Sequence, residues 1–228
     1  MKKTKDTSLK IFFYLLVSIT INALGNGLTV SLNLGSALWT ASAVNLEHLI
    51  HVDLKLILIY YGIAVIIFNA IILRKIEWRR IVNNFLFMIP FSFLVGYATN
   101  LFNHLNLDRL NIVIRIFLDC FGIVMISTGV SIYQRINILL HPNDDLMQII
   151  RFKFFKGNSA IAMWVSLIPP IIISLICFLL TKRLYAVNVG TVFALAFQGI
   201  LIGQADRFVF PSLKHRGLSK IKQPNTTR

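Results

Sequence analysis

The chain of 228 residues is 56% hydrophobic and only 14% charged, with a formal net charge of +14 and a mean hydropathy of +0.72, where a soluble domain carries about 25% charged residues. So little charge spread over so long a chain excludes a disordered polypeptide and argues against a soluble enzyme. Cys120 and Cys177 both fall inside long apolar runs, so neither a disulfide framework nor a thiolate metal cluster is expected.

A membrane-crossing helix needs about 20 mostly apolar residues. Six stretches qualify: Ile11–Leu32, Leu54–Leu73, Ile81–Phe102, Ile112–Tyr133, Ser159–Leu180 and Val189–Phe208. The first follows Lys2, Lys3 and Lys5 in the manner of a signal peptide. Its apolar run is longer than such a segment needs, and no cleavage-like run of small residues follows, so it is read as a retained helix. The fold class expected is therefore all-α, a six-span polytopic membrane protein in one membrane domain. Its parts are a basic tail 1–10, a first half 11–103, a second half 112–208 and a basic tail 209–228.

Short loops rich in Lys and Arg stay in the cytoplasm. With the N-terminus inside, that side holds 18 Lys and Arg, and the outer side holds four: Lys55, Arg109, Lys182 and Arg183. The remaining one, Arg115, lies within the fourth stretch. Both termini are thus expected in the cytoplasm. The excess positive charge is explained by topology and by contact with anionic lipids at the inner face, with no nucleic-acid partner.

The two halves carry an ordered likeness. Gly27 to Asn33 ends the first stretch as Gly129 to Arg135 ends the fourth, and Val95-Gly-Tyr-Ala98 matches Ile202-Gly-Gln-Ala205. Each of the two earlier motifs precedes a semi-polar segment too mixed to span, Leu34–Asp53 and Ile136–Asn158. Three crossings per half is an odd number, so the second half enters the membrane inverted. Inverted repeats, each with a re-entrant or interfacial segment, are a recurring transporter plan; the competing reading is a duplication that only builds a stable bundle.

Asp119, about 10 Å into the fourth stretch at 1.5 Å per residue, stands out because a lone carboxylate in the bilayer costs at least about 2.5 kcal/mol. Arg115, one turn away, either neutralises it as a structural pair or turns outward and leaves it to a substrate or proton. Of the outer segment, Gly35 and Ser36 permit a tight re-entry, and Trp39 either stacks on a ligand or anchors at the interface. Asn26, between Gly25 and Gly27, is the polar side chain there that faces a cavity. The glycines Gly25, Gly27, Gly129, Gly199 and Gly203 are expected to permit close helix packing.

In the cytoplasmic segment His141 to Met147, one of Asp144 and Asp145 caps a following helix over Leu146–Lys156, and the neighbouring carboxylate calls for a cation, a proton or a basic partner. That helix is expected to lie on the inner leaflet. Asn143 belongs to the same acceptor-rich turn, and Gln198 is the deepest polar residue of the last stretch. The candidate substrate- or ion-binding residues are therefore Asp119, Arg115, Asn26, Trp39, Asn143, Asp144, Asp145 and Gln198. No metal or cofactor site is expected: His48 and His51, with Glu47 and Asp53, lack a zinc-site arrangement. No nucleophile elbow, phosphate loop or dinucleotide fingerprint is present either, so the chain is read as a non-enzyme.

Gly27 to Trp39, Pro142 to Met147 and Val189 to Ala194 together resemble the YczE/YyaS/YitT family of bacterial membrane proteins, over essentially the whole chain between the basic tails. In that family the outer segment reads Leu-Gly-x-x-Pro-Trp-Asp, and here Leu38 and Thr40 replace its proline and its acid. The resemblance implies a protein of the bacterial cytoplasmic membrane and no particular substrate. Three functions follow as expectations: a small-solute secondary transporter or permease; a membrane-embedded substrate-capture subunit with a cytoplasmic partner; and a scaffold that moves nothing. A homo-oligomer fits each of them.

Overall fold

The computed structural model describes residues 2–156 and 159–214, with side chains described for 9–156 and 161–214. Arg216, Lys220, Lys222 and Arg228 of the expected basic tail lie outside the described residues. The elements are α1 (Lys2–Leu32), α2 (Leu38–Ile50), α3 (Leu54–Leu73), α4 (Trp78–His104), a 3-10 turn (Leu107–Arg109), α5 (Ile112–Ile136), α6 (Pro142–Lys153), α7 (Ser159–Ser166), α8 (Ile168–Thr181) and α9 (Val189–Phe208). No strand occurs among the described residues. Six helices are long and apolar enough to cross a membrane, with α7 and α8 counted together over Ile161–Thr181.

The distribution of polarity is that of a membrane protein. Phe12, Phe93, Phe117 and Leu180 are exposed, while Ser18, Asn22, Asn26, Ser127 and Ser131 are buried. The buried hydroxyls satisfy themselves on their own helix, Ser18 donating to the Leu15 carbonyl at 2.7 Å and Ser127 to that of Ile123 at 2.8 Å, so they cost no unpaired donor in a water-free interior.

α1 and α5 form the central pair; α4 packs on α1 and α9 on α5. Glycines let them approach closely: Gly25 faces the Gly122 carbonyl across the α1–α5 seam, Gly27 meets Ala98 of α4, and Gly129 meets Asn22. Gly199 and Gly203 depart from the expected close packing, with open space where a side chain would be. α9 turns Ala194 and Ala205 inward instead.

Each short helix crosses to the other half of the chain: α2 packs on α8 as well as on α3, and α6 packs on α3 as well as on α7. α3 and α4 lie side by side, whereas α8 and α9 share no comparable contact among the described residues. The fifth crossing, expected as one helix, is interrupted at Leu167. Pro169 and Pro170 have no N–H to continue the hydrogen-bond ladder, and α8 restarts at Ile168.

Two expectations for α6 are corrected. Its cap is neither aspartate: His141 is the N-cap, its Nδ1 accepting from the Asn143 N–H at 3.3 Å. Pro142 at the first helical position fixes φ, which places the chain's entry into the helix at His141. Its bounds shift too, from the expected Leu146–Lys156 to Pro142–Lys153, with Leu146 and Ile150 buried beside Val65 and Ala162 in a satellite core.

Candidate functional site

Both short helices are fastened at their starts. After Asn33 at positive φ and Gly35 at φ +135°, the Leu34 carbonyl accepts from the Gly190 N–H at 2.9 Å, and the Ser36 N–H donates to the Ala186 carbonyl at 3.1 Å. Thr191 Oγ1 donates to the Ser36 carbonyl at 3.0 Å. Asn45 of α2 accepts from the Tyr185 N–H and donates to the Tyr185 carbonyl. Gly35 and Gly190 touch through bare backbone, and a Cβ on Gly35 would run into the Gly190 Cα and the Thr191 nitrogen. At the N-terminal end the fastening of α6 is charged. Asp145, almost wholly buried, pairs with Arg80 at 3.1 Å and accepts from Asn84 at 3.1 Å, while Asn69 donates to the Pro142 carbonyl at 3.3 Å.

Between the two fastened helices lies a cavity of about 410 Å³ lined by Asn26, Trp39, Thr40, Asn143, Asp144 and Gln198 among others. Its lining comes from the middle of α4 and α9, from the C-terminal halves of α1 and α5, from α3, from both short helices, and from α7. Asn26 links the wall together: its amide donates to Asn22 Oδ1 at 2.7 Å, and its Oδ1 accepts from Thr40 at 2.6 Å. Trp39 stands edge-on to Tyr61 at 6.1 Å. Asp144 accepts from the Tyr133 hydroxyl and, more loosely, from Gln134 at 3.5 Å. Burial pushes the Asp144 carboxyl up to about 6, partly offset by those two donors. Burial likewise pushes His141 down to about 4, so it is neutral at physiological pH. The His141 ring meets Phe87 and Phe91 edge-on.

Of the eight residues singled out in the sequence, this cavity gathers five: Asn26, Trp39, Asn143, Asp144 and Gln198. The paired aspartates separate, Asp144 facing the cavity while Asp145 is consumed by the Arg80 clasp. Adjacent residues on a helix point about 100° apart, which is how one pair serves two purposes.

Asp119 lies elsewhere. Its carboxylate is buried against Gly190 in the first turn of α9, where the helix dipole favours a negative group. Arg115 forms no ion pair with it. The guanidinium instead donates to the Leu32 carbonyl at the end of α1, at 2.5 Å, where a positive charge meets the negative helix end. Arg115 also lines a polar vestibule of about 690 Å³ at the end of the bundle opposite the N-terminus, with Glu47, His48 and Asp53. There His48 stacks on Tyr185 at 3.8 Å, and Glu47 accepts from the Leu54 N–H.

Several participants gave no sequence signal. Tyr133, Tyr61 and Asn22 read as ordinary members of apolar stretches, and only the fold turns them inward. Arg135 counts by sequence as a loop charge. In the structure it is buried, pairs with Asp206 at 3.3 Å, and donates to the Val209 carbonyl at 2.8 Å and the Phe210 carbonyl at 3.1 Å, closing the end of α9.

The chain belongs to a family of unknown function, DUF6198, whose model matches residues 9–207. No curated protein and no solved structure matches it.

Proposed function

We propose that the protein is a small-solute secondary transporter or permease of the bacterial cytoplasmic membrane, related to the YczE/YyaS/YitT proteins it resembles. In this reading both termini are cytoplasmic, and α1–α4 and α5–α9 are inverted repeats that alternate access to one central site. The work done is passage rather than catalysis.

The observation that carries the reading is the cavity of about 410 Å³ between α2 and α6, a volume typical of small-molecule sites. It joins polar groups of both halves within a bundle of six apolar helices, as transporters built on repeats do. The reciprocal packing is a second support. α1 with α4 answers α5 with α9, and α2 on α8 answers α6 on α3, the exchange that a pseudo-two-fold axis between α1 and α5 would produce, although α3 on α4 has no such counterpart between α8 and α9 among the described residues. Lysines and arginines at the N-terminal end, Arg79 among them, suit contact with anionic lipid.

The test is a thermal-stability screen of the purified protein against metabolites, followed by counterflow of any hit in proteoliposomes. A ligand at about 100 times its Kd stabilises by about 2.7 kcal/mol. Saturable counterflow that Asp144→Asn abolishes supports transport. A hit that binds but never crosses the membrane refutes it in favour of a capture subunit. Wild-type activity in the cell without any solute bound or moved points to a scaffold.

A further inference from the structure

The cavity has two chemically distinct ends. On α6 the residues facing it are Asp144, Met147 and Arg151, spaced i, i+3 and i+7 along one helix face. At 1.5 Å per residue the Arg151 backbone lies about 10 Å from that of Asp144. The Asp144 end is rich in acceptors. Besides the carboxylate itself, Asn143 Oδ1 is buried with no donor, although most buried polar atoms in proteins are hydrogen-bonded. The neighbouring acids are already committed: Asp145 pairs with Arg80, and Asp206 with Arg135. The walls beside this end are aromatic, with Trp39, Tyr61, Phe91 and Tyr133 all lining the same space.

A carboxylate and an amide oxygen lacking a donor, set beside aromatic walls, suit a cation that carries N–H groups and an apolar body. A carboxylate ligand is repelled at this end. An α-amino acid would bring its own carboxylate beside Asp144, where the two negative groups repel. A quaternary ammonium would leave Asn143 Oδ1 without its donor.

We propose that this cavity binds a small protonated primary amine with an aromatic or otherwise apolar body, its ammonium group donating to Asp144 and to Asn143 Oδ1 and its body lying against Trp39, Tyr61 and Phe91. The inference deepens the transport reading by naming the substrate class for the same cavity.

Binding of such a cation needs Asp144 ionised. The titratable and charged groups around it are Tyr61 from α3, Tyr133 from α5, His141 at the α6 cap, and Arg151 of α6, with Asp145 next along α6; α1, α2, α4 and α9 contribute the uncharged Asn22, Asn26, Trp39, Thr40, Phe91 and Gln198 to the lining. With the Asp144 carboxyl raised to about 6, affinity for an amine falls about tenfold between about pH 7.5 and about pH 5.

The experiment uses the full-length protein in detergent and measures binding of 2-phenylethylamine, with 2-phenylethanol, 3-phenylpropanoate and trimethyl(2-phenylethyl)ammonium as matched neutral, anionic and N–H-free probes. The expected result is binding of the amine at least about tenfold tighter than any of the other three, with the pH dependence given above. Asp144→Asn weakens the amine by a similar factor and leaves the alcohol unchanged. If that variant does not fold, Asn143→Ala replaces it and narrows the gap between primary and trimethylated amine. Equal binding of alcohol and amine, preference for the carboxylate, a flat pH profile or no binding of the amine overturns the inference. Counterflow in proteoliposomes separates the two readings. Amine binding without counterflow upholds the substrate class and refutes transport, while counterflow of a non-amine solute with no amine binding upholds transport and refutes the class.

Discussion

At the end of the bundle opposite the N-terminus, the α1–α2 connection is held mainly by backbone, through Leu34 to Gly190 and Ser36 to Ala186. At the N-terminal end, the connection into α6 is held by side chains, chiefly the buried Asp145 with Arg80 and Asn84. The first fastening is made by backbone hydrogen bonds that need glycine at position 35, while Gly190 leaves room for the Asp119 carboxylate. The second tolerates ordinary backbone but places a carboxylate where water is scarce, and burial raises the Asp145 carboxyl despite its partners. At the first end the titratable Glu47 and His48 line the vestibule beside the fastening, whereas at the other end a carboxylate is itself the clasp and, one residue away, stands the cavity's own acid.

The comparison breaks most sharply at Gly35. Gly35→Ala puts a Cβ into backbone of the α9 start at a φ of +135°, which both overpacks and strains the chain, so a loss of about 3 kcal/mol or more is expected. The measurement is the unfolding midpoint in detergent, and a change under about 1 kcal/mol would show the contact to be loose.

The charged clasp is expected to respond asymmetrically. Arg80 is one-third exposed while Asp145 is almost wholly buried. Arg80→Met strands a buried carboxylate and costs about 2–3 kcal/mol, whereas Asp145→Asn leaves Arg80 able to reach water and costs less. Equal losses from the two variants would mean that the pair is effectively solvated.

The smallest effect expected is in the pH dependence of stability. Asp144, raised to about 6 in the folded protein, binds its proton more tightly folded than unfolded. Its contribution is thus present at low pH and lost as pH rises from about 4 to about 6. His141, lowered to about 4, acts oppositely: stability falls as pH drops from about 6.5 to about 4. The two act in opposite senses, and Asp144→Asn gains on wild type as pH rises through this window. A Tm difference between the two that does not change with pH would remove Asp144 from the titrating groups.

Much of the architecture was legible because the bilayer imposes a length and a composition on each crossing. All six apolar stretches became spans, and the two semi-polar segments, too mixed to cross, became α2 and α6. Pro142 to Met147, expected as a chain-breaking turn, instead forms the first turns of α6, while Asn26, read as able to face a cavity, lines one. Asp119 did not follow its most conspicuous sequence signal. A buried carboxylate costs the same whether a substrate or a helix end compensates it, and the sequence does not show that the start of α9 lies beside it.

What the sequence by itself determined is the number of crossings, their boundaries to within a few residues, and which short segments stay out of the count. These depend on local hydropathy and on where Pro and Gly interrupt a helix. What only the tertiary structure decided is which faces meet: the split of Asp144 from Asp145, the inward turn of Tyr133 and Asn22, and the seating of Gly35 on Gly190. Each of these contacts joins distant parts of the chain or depends on how a helix is rotated about its axis, and packing fixes that rotation.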